Sequence, residues 1–184
     1  MIKVFVRIAV LLVIMSEVCM AANETRFIPK SEVALGGIQL GATTEHVKSV
    51  YGEPTRIRID KRPVYGDAVR THENVIVWEY GSTLTFKFEP RNEKVYYIET
   101  TGNNGIKTPS GFSVGDKLVD VCKYFENKFH IYPRCLPYQT KEPLKYYDDL
   151  KISYECAENV ALIFTSDGNG KILQIIVGDY RYEI

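Results

Sequence analysis

The chain lacks most of the features that announce a chemistry. It carries no excess charge, with 23 Lys and Arg against 23 Asp and Glu. Without residues 1–21, which hold Lys3, Arg7 and Glu17, 21 basic residues face 22 acidic ones. A near-neutral chain offers no electrostatic footprint for nucleic acid or for an anionic membrane surface. Histidine is scarce: His46, His72 and His130 are the three present, and nothing in their spacing makes them converge on a metal with a carboxylate such as Asp120 or Glu73. The four cysteines include no C-x-x-C pair, which excludes the usual zinc spacings. No Gly-x-Ser-x-Gly elbow, phosphate loop or dinucleotide fingerprint occurs. Beyond the first residues no apolar run is long enough to cross a bilayer. These absences point to no cofactor and to no enzyme class.

What is present begins with an address. Lys3 and Arg7 form a basic start, residues 8–15 are an uninterrupted apolar run, and Cys19-Met20-Ala21 places small residues at the −3 and −1 positions. That is the layout of a secretory signal peptide, too short in its apolar core to span a membrane. Cleavage near Ala21 and Ala22 is expected, giving an exported protein, periplasmic or secreted. A lipobox would need a small residue directly before Cys19, where Val18 and Glu17 stand. Cys122, Cys135 and Cys156 remain after cleavage. In an oxidising compartment two of the three are expected to pair, leaving one over.

The rest divides into a lead-in segment, 22–37, and two units, 38–102 and 103–184. Ile38-Gln39-Leu40-Gly41 reads as a short strand and a glycine turn. Thr43 or Thr44 can cap a helix on which Val47, Val50 and Tyr51 share one stripe, and Gly52 and Pro54 stop it. Residues 56–59 alternate like a strand, and 60–74 read as a loop with Pro63 and Gly66. Residues 75–80, 83–88 and 95–100 are rich in β-branched and aromatic residues and are separated by turns, which predicts an antiparallel meander. The order then repeats. Gly115 stands 74 residues after Gly41 and Val121 stands 74 after Val47. Asp116 is placed to cap a second helix with Leu118, Val121, Cys122 and Phe125 on its stripe. Residues 151–156, with Tyr154 answering Trp78, 161–164 and 171–176 supply the second meander. The expected fold is α+β: two tandem repeats, each a short helix or helical hairpin packed on an antiparallel β-meander.

The sequence apolar-x-apolar-Gly, a capped helix with a central valine, Gly-x-Pro and a meander resembles the fold group of the β-lactamase inhibitory proteins. It is also similar to the small outer-membrane assembly lipoproteins of the SmpA/OmlA type. The resemblance covers residues 38 to about 180. It implies tandem units of a helical element on a four-stranded antiparallel sheet. It also implies a disulfide between the segment after the helix and the following strand, places held here by Cys135 and Cys156, with Cys122 as the odd thiol. The first unit departs from that pattern, having Pro54-Thr55 and Tyr80 where cysteines would stand. The assembly lipoproteins differ in having one unit and a lipid anchor.

Candidate functional residues lie in the loops. Residues 130–149 carry Tyr132, Tyr138, Tyr146 and Tyr147 among three prolines. Tyrosine offers a large contact area for little side-chain entropy, and proline holds a loop in one shape. The corresponding loop of the first unit has Arg62, Tyr65, Arg70 and His72. Tyr65, Arg70, His72, Tyr138, Tyr146 and Tyr147 are therefore the candidate partner-binding residues; the competing reading is that the tyrosines cover their own sheet edges. Cys122 falls on an apolar stripe, where a cysteine behaves as a small hydrophobe. Asp167-Gly168-Asn169-Gly170 reads as a hairpin turn rather than a calcium loop, and Asp148-Asp149 as solvated charges. The function expected is a non-enzymatic module that binds a protein through its sheet face and tyrosine-rich loop. The alternative is a structural or chaperone-like envelope factor acting through helices or edge strands, and a third reading is a hydrolase built on Cys122 or a histidine.

Overall fold

The structure, a computed structural model, describes residues 27–65, 70–135, 150–157 and 160–179. A 3-10 turn, Lys30–Glu32, precedes a small hairpin of β1 (Ala34–Leu35) and β2 (Ile38–Gln39). Helix α1 (Thr44–Tyr51) follows, then β3 (Arg56–Tyr65), β4 (Arg70–Tyr80), β5 (Leu84–Phe88) and β6 (Val95–Thr100). Helix α2 (Leu118–Phe129) is followed by β7 (Arg134–Cys135), β8 (Leu150–Ala157), β9 (Val160–Ser166) and β10 (Ile172–Asp179). The eight strands from β3 onward make one antiparallel sheet in the order β3-β4-β5-β6-β10-β9-β8-β7. The fold is α+β, and among the described residues each helix precedes four strands. Among the described residues no helix is long and apolar enough to cross a membrane.

Both helices are short, so their ends matter. Thr43 caps α1, its hydroxyl oxygen accepting the His46 N–H at 3.3 Å. Gly52 ends it at φ +76°, its N–H donating to the Lys48 carbonyl at 2.8 Å. Asp116 does not cap α2. The residue at the cap is Lys117, without a side-chain bond, and the Asp116 carboxylate instead accepts from the Ser113 N–H at 2.8 Å and from the Ser113 hydroxyl. The helix begins one residue later than the residue types suggest, and the preceding turn has taken the carboxylate.

Both helices lie on one side of the sheet. Val47 is fully buried, and the Tyr51 ring packs 5.4 Å from Tyr80 and 5.6 Å from Phe86 between centroids. Val50 is half exposed. It lies about 60° around the helix from Val47, on the side away from Tyr51. On α2, Leu118, Val121 and Phe125 are buried, with Cys122 half-buried at the core margin. Phe125 stacks on Tyr154 with centroids 4.2 Å apart. Truncating a ring buried in such a core costs about 3–5 kcal/mol. Trp78, expected to correspond to Tyr154, belongs to the same core.

The two helix-bearing turns are fastened in the same way. Gly41 donates its N–H to the Val95 carbonyl (2.7 Å), and Val95 returns one to Ala42 (2.9 Å). Gly115 donates to Ile172 (2.8 Å), and Ile172 returns one to Asp116 (2.9 Å). Each turn is thereby pinned to the last strand of the meander that follows it. Gly41 and Gly115 sit at φ +85° and +99°, the left-handed region that a side chain disfavours.

Two stretches differ from their sequence expectations. Residues 60–65 and 70–74, read as loop, extend β3 and β4 into a long hairpin with Asp60 opposite Val75 and Pro63 opposite His72. A proline inside a strand argues for loop, but β3 is an edge strand, where a missing N–H is tolerated. The segment 27–37, expected as a polar lead-in, is part of the core: Ile28, Val33 and Leu35 are buried beneath the helices' side of the sheet.

Glu32 fixes that segment to α2. It is 5% exposed, and its carboxylate accepts from the Ser110 hydroxyl, from Tyr124 Oη at 3.3 Å and from Lys128 Nζ at 3.4 Å. Losing a buried charged acceptor leaves its donors unmatched, although exposed Lys128 can return to water. Glu32→Ala is expected to lower stability by about 2–3 kcal/mol, and Glu32→Gln by less, since an amide oxygen can still accept. Urea unfolding midpoints at an unchanged slope check this.

Candidate binding face

Successive residues of a strand point to opposite faces. Ile76, Trp78 and Tyr80 of β4 belong to the helix side, so Glu73, Val75, Val77 and Glu79 belong to the far side. The register extends this far side across the sheet. Arg58 faces Val77 and Arg62 faces Glu73 on β3, Lys87 faces Val77 on β5, and Tyr97 faces Lys87 on β6. Ile176 lies opposite Glu99 on β10, and Ile163 opposite Ile176 on β9.

Charge on this face is ordered in pairs. Arg58 Nε donates to Glu79 Oε1 at 2.7 Å and also pairs with Asp60. Arg62 Nη2 donates to Glu73 Oε2 at 2.9 Å, with its guanidinium 5.0 Å from the Tyr96 ring centroid. Burial pulls the Arg62 guanidinium down, and Glu73 and Tyr96 together more than offset it, leaving the group above its ordinary value. Lys87 Nζ lies 4.1 Å over the Tyr97 ring. These stems and rings accompany a second apolar cluster of Val75, Val77, Tyr96, Tyr97, Ala161, Ile163 and Ile176.

At the centre, where β6 meets β10, Tyr97 donates to Glu99 Oε2 at 2.9 Å, and Gln174 donates to Glu99 Oε1 at 2.5 Å. Thr165 donates to Gln174 at 3.2 Å. Gly178 stands opposite Tyr97, and a Cβ there would come within 2.9 Å of the ring. The glycine is required by a close approach: it lets the tyrosine lie across the joint.

Of the six residues proposed from sequence, His72 alone has a described side chain. His72 is exposed on β4 with the parity of Ile76 and Trp78, which assigns it to the helix side. Tyr65 and Arg70 pair with each other at the end of the hairpin; their side chains, like all of Tyr138, Tyr146, Tyr147 and Asp148-Asp149, lie outside the described residues. His46 is on α1, and His130, at φ +55°, closes α2. Among the described residues no cluster of His, Cys, Asp and Glu is arranged to hold a metal ion. Sequence reasoning missed Arg58, Lys87, Tyr97 and Glu99; their alternation along the strands was the available signal.

Cys135 and Cys156 do not stand at disulfide distance from each other in this structure. Cys135 is opposite Ile152, so Cys156 lies four residues further along β8, about 13 Å at strand rise. A disulfide needs Cα atoms within about 7 Å. Strand β7 joins β8 nearer its start than the family likeness implied. The Cys156 thiol is free and half-buried, at a cavity of about 410 Å³ that Lys30, Val33, Lys94, Tyr96 and Val160 also line. Burial pushes this thiol above its ordinary value, and Lys30 pulls back only part of that rise.

No family model and no curated protein matches the chain. Among solved structures, it is similar to a DUF4309 family protein, YjgB, from Bacillus subtilis, at 16% identity and a TM-score of 0.40, over 78% of this chain and 82% of that one.

A raised thiol pKa means less thiolate at any given pH, hence slower alkylation. Cys156 is expected to react with iodoacetamide more slowly at neutral pH than an exposed cysteine in a peptide, with the rate still rising above the ordinary thiol range. Peptide mapping by mass spectrometry reads the rate at that site.

Proposed function

We propose that this chain is an exported, non-enzymatic binding module that recognises a protein partner through the far side of its sheet, together with the tyrosine-bearing loop. The observation that supports this reading is the ordered array of arginine, lysine, tyrosine and carboxylate side chains on the face that the helices leave uncovered. Tyrosine and arginine held in place by neighbours contribute area and directed donors at small entropic cost, the combination that recurs where proteins bind one another. The array contains no nucleophile beside a base and no convergent acid pair, so binding is the chemistry it supports. We further propose that the two halves are tandem copies of one unit. The matching pairs Gly41–Val95 and Gly115–Ile172 favour this, as do the two runs of one helix and four strands. In that case the face is built twice, and its halves meet at Tyr97 and Gly178.

The test is affinity capture from cell-envelope extract with the tagged protein, followed by measured binding of whatever is captured. Lys87→Glu with Lys151→Glu reverses two charges on the far side and is expected to weaken binding tenfold or more. Lys123→Glu, on exposed α2, should leave it unchanged. Equal capture by all three proteins would overturn the sheet-face reading.

A further inference from the structure

Strand β3 is the outermost strand of the sheet on its side. Its inner edge pairs along its whole length with β4, and its outer edge carries backbone groups with no strand beside them among the described residues. Proline has no N–H to give β4, which assigns position 63 to the outward-facing set. By period two that set includes residues 57, 59 and 61. Ile57 and Ile59 are 57% and 66% exposed. They continue the helix-side rows of Trp78 and Ile76 past the cover of α1. Exposed edges are ordinarily blunted by charge, proline or bulges. Here Lys61 and Pro63 do so at one end of β3, while the stretch from Arg56 to Asp60 presents two isoleucines and no bulge.

We propose that this edge is the docking surface for a second copy of the chain, β3 lying antiparallel to β3 around a two-fold axis at Arg58. Charge complementarity selects that register. With Arg58 on the axis, Ile57 meets Ile59 of the second copy twice over, so the four isoleucines form one apolar row on the helix side. On the far side Arg56 meets Asp60 of the second copy, again twice. The two Arg58 side chains at the axis each hold Glu79 and Asp60 of their own chain, which neutralises their repulsion. Arg56 is available for this exchange: its side chain is 69% exposed and holds Glu79 only at 3.9 Å. Placing Ile59 on the axis would bring Arg58 to Asp60 of the second copy, but at the loss of the apolar row, with Ile57 against Lys61, and with Arg56 against Arg62. Placing Asp60 there would oppose two carboxylates and set Arg58 against Arg62. The contact is isologous and closes on itself, and it joins two eight-stranded sheets into one while drawing on the partner-binding face only at its margin, Arg56, Arg58 and Asp60.

Sedimentation equilibrium of the purified protein at rising concentration should show the mass climbing toward twice that of one chain. Ile57→Lys with Ile59→Lys is expected to weaken this association at least tenfold. Both side chains are exposed, so the far-ultraviolet dichroism and thermal midpoint should hold. Strand neighbours across a two-fold are within disulfide reach, so Arg58→Cys should give a covalent dimer on mild oxidation, its linkage mapped to position 58 in both chains. A protein that stays monomeric at every concentration overturns the proposal. So does association that survives the double lysine variant, or an Arg58→Cys protein that does not cross-link. Binding of an unrelated extended peptide at this edge by a protein that does not self-associate would reassign the edge and also overturn it.

Discussion

The register of β6 against β10 is the constraint on which the rest of the sheet depends. Four residue pairs join the two halves: Thr100 with Ile175, Glu99 with Ile176, Ile98 with Val177, and Tyr97 with Gly178. Ile98, Val177 and Ile175 are fully buried on the helix side, while Glu99 and Tyr97 stand on the far side. A slip of one residue would turn every side chain over. Glu99 would then enter the core, where an unpaired carboxylate costs several kcal/mol, and the Tyr97 ring would lose the space that Gly178 leaves for it. The alternation along these two short strands therefore sets where both helices land and which side chains reach the opposite face.

That joint is reinforced from outside the sheet. Gly41 and Gly115 tie the turn before each helix to Val95 and Ile172, which begin β6 and β10. Each helix is thus attached to the strand furthest from it in its own meander. The attachment explains how α1, of eight residues, is held at all: isolated helices of that length are marginal in water. The stabilisation comes from the tertiary contacts of Val47 and Tyr51 and from backbone pairs across the chain. Glu32 performs the same office for the segment 27–37, drawing it to α2 through Tyr124 and Lys128 and to the turn before that helix through Ser110.

Legibility in the sequence followed the range of the interaction. The Thr43 cap, the Gly52 stop, the apolar stripe of α2, the inner part of β4 (75–80) and strands β5, β6 and β8 to β10 rest on neighbours in sequence, and residue type was enough to place them. Asp116 was misplaced because a capping carboxylate and a turn-bridging one look alike until the helix start is known. The outer half of β3, and with it residues 70–74 of β4, was missed because Pro63 breaks a central strand but not an edge strand, and edge position is a property of the whole sheet. Residues 27–37 looked like a lead-in because Ile28, Val33 and Leu35 follow no helical or strand period. The cysteine pairing came from a family likeness, and the register of β7 on β8 holds the two residues too far apart to make it in this arrangement. For the candidate site, loop composition drew notice to tyrosines, whereas the face is made of alternating strand positions whose partners lie one strand away.

Under the proposed function, the ion pairs of the far side determine where that face can adapt. An exposed pair contributes under about 1 kcal/mol, so the loosely held Arg56 can exchange one carboxylate for another almost without cost. Arg62 differs: its side chain is 12% exposed, is bonded to Glu73 and is laid over Tyr96. Breaking that pair would strand a charge with little access to water, which is expensive. The face thus has a fixed inner framework of Arg62, Tyr96, Tyr97 and Glu99 and a yielding margin at Arg56 and Arg58. A partner gains its directed contacts at the margin and its shape from the framework. The strand edge that carries the margin is the same one that the isoleucines expose, so self-association through β3 and recognition across the face would compete only for Arg56, Arg58 and Asp60, and for nothing further in.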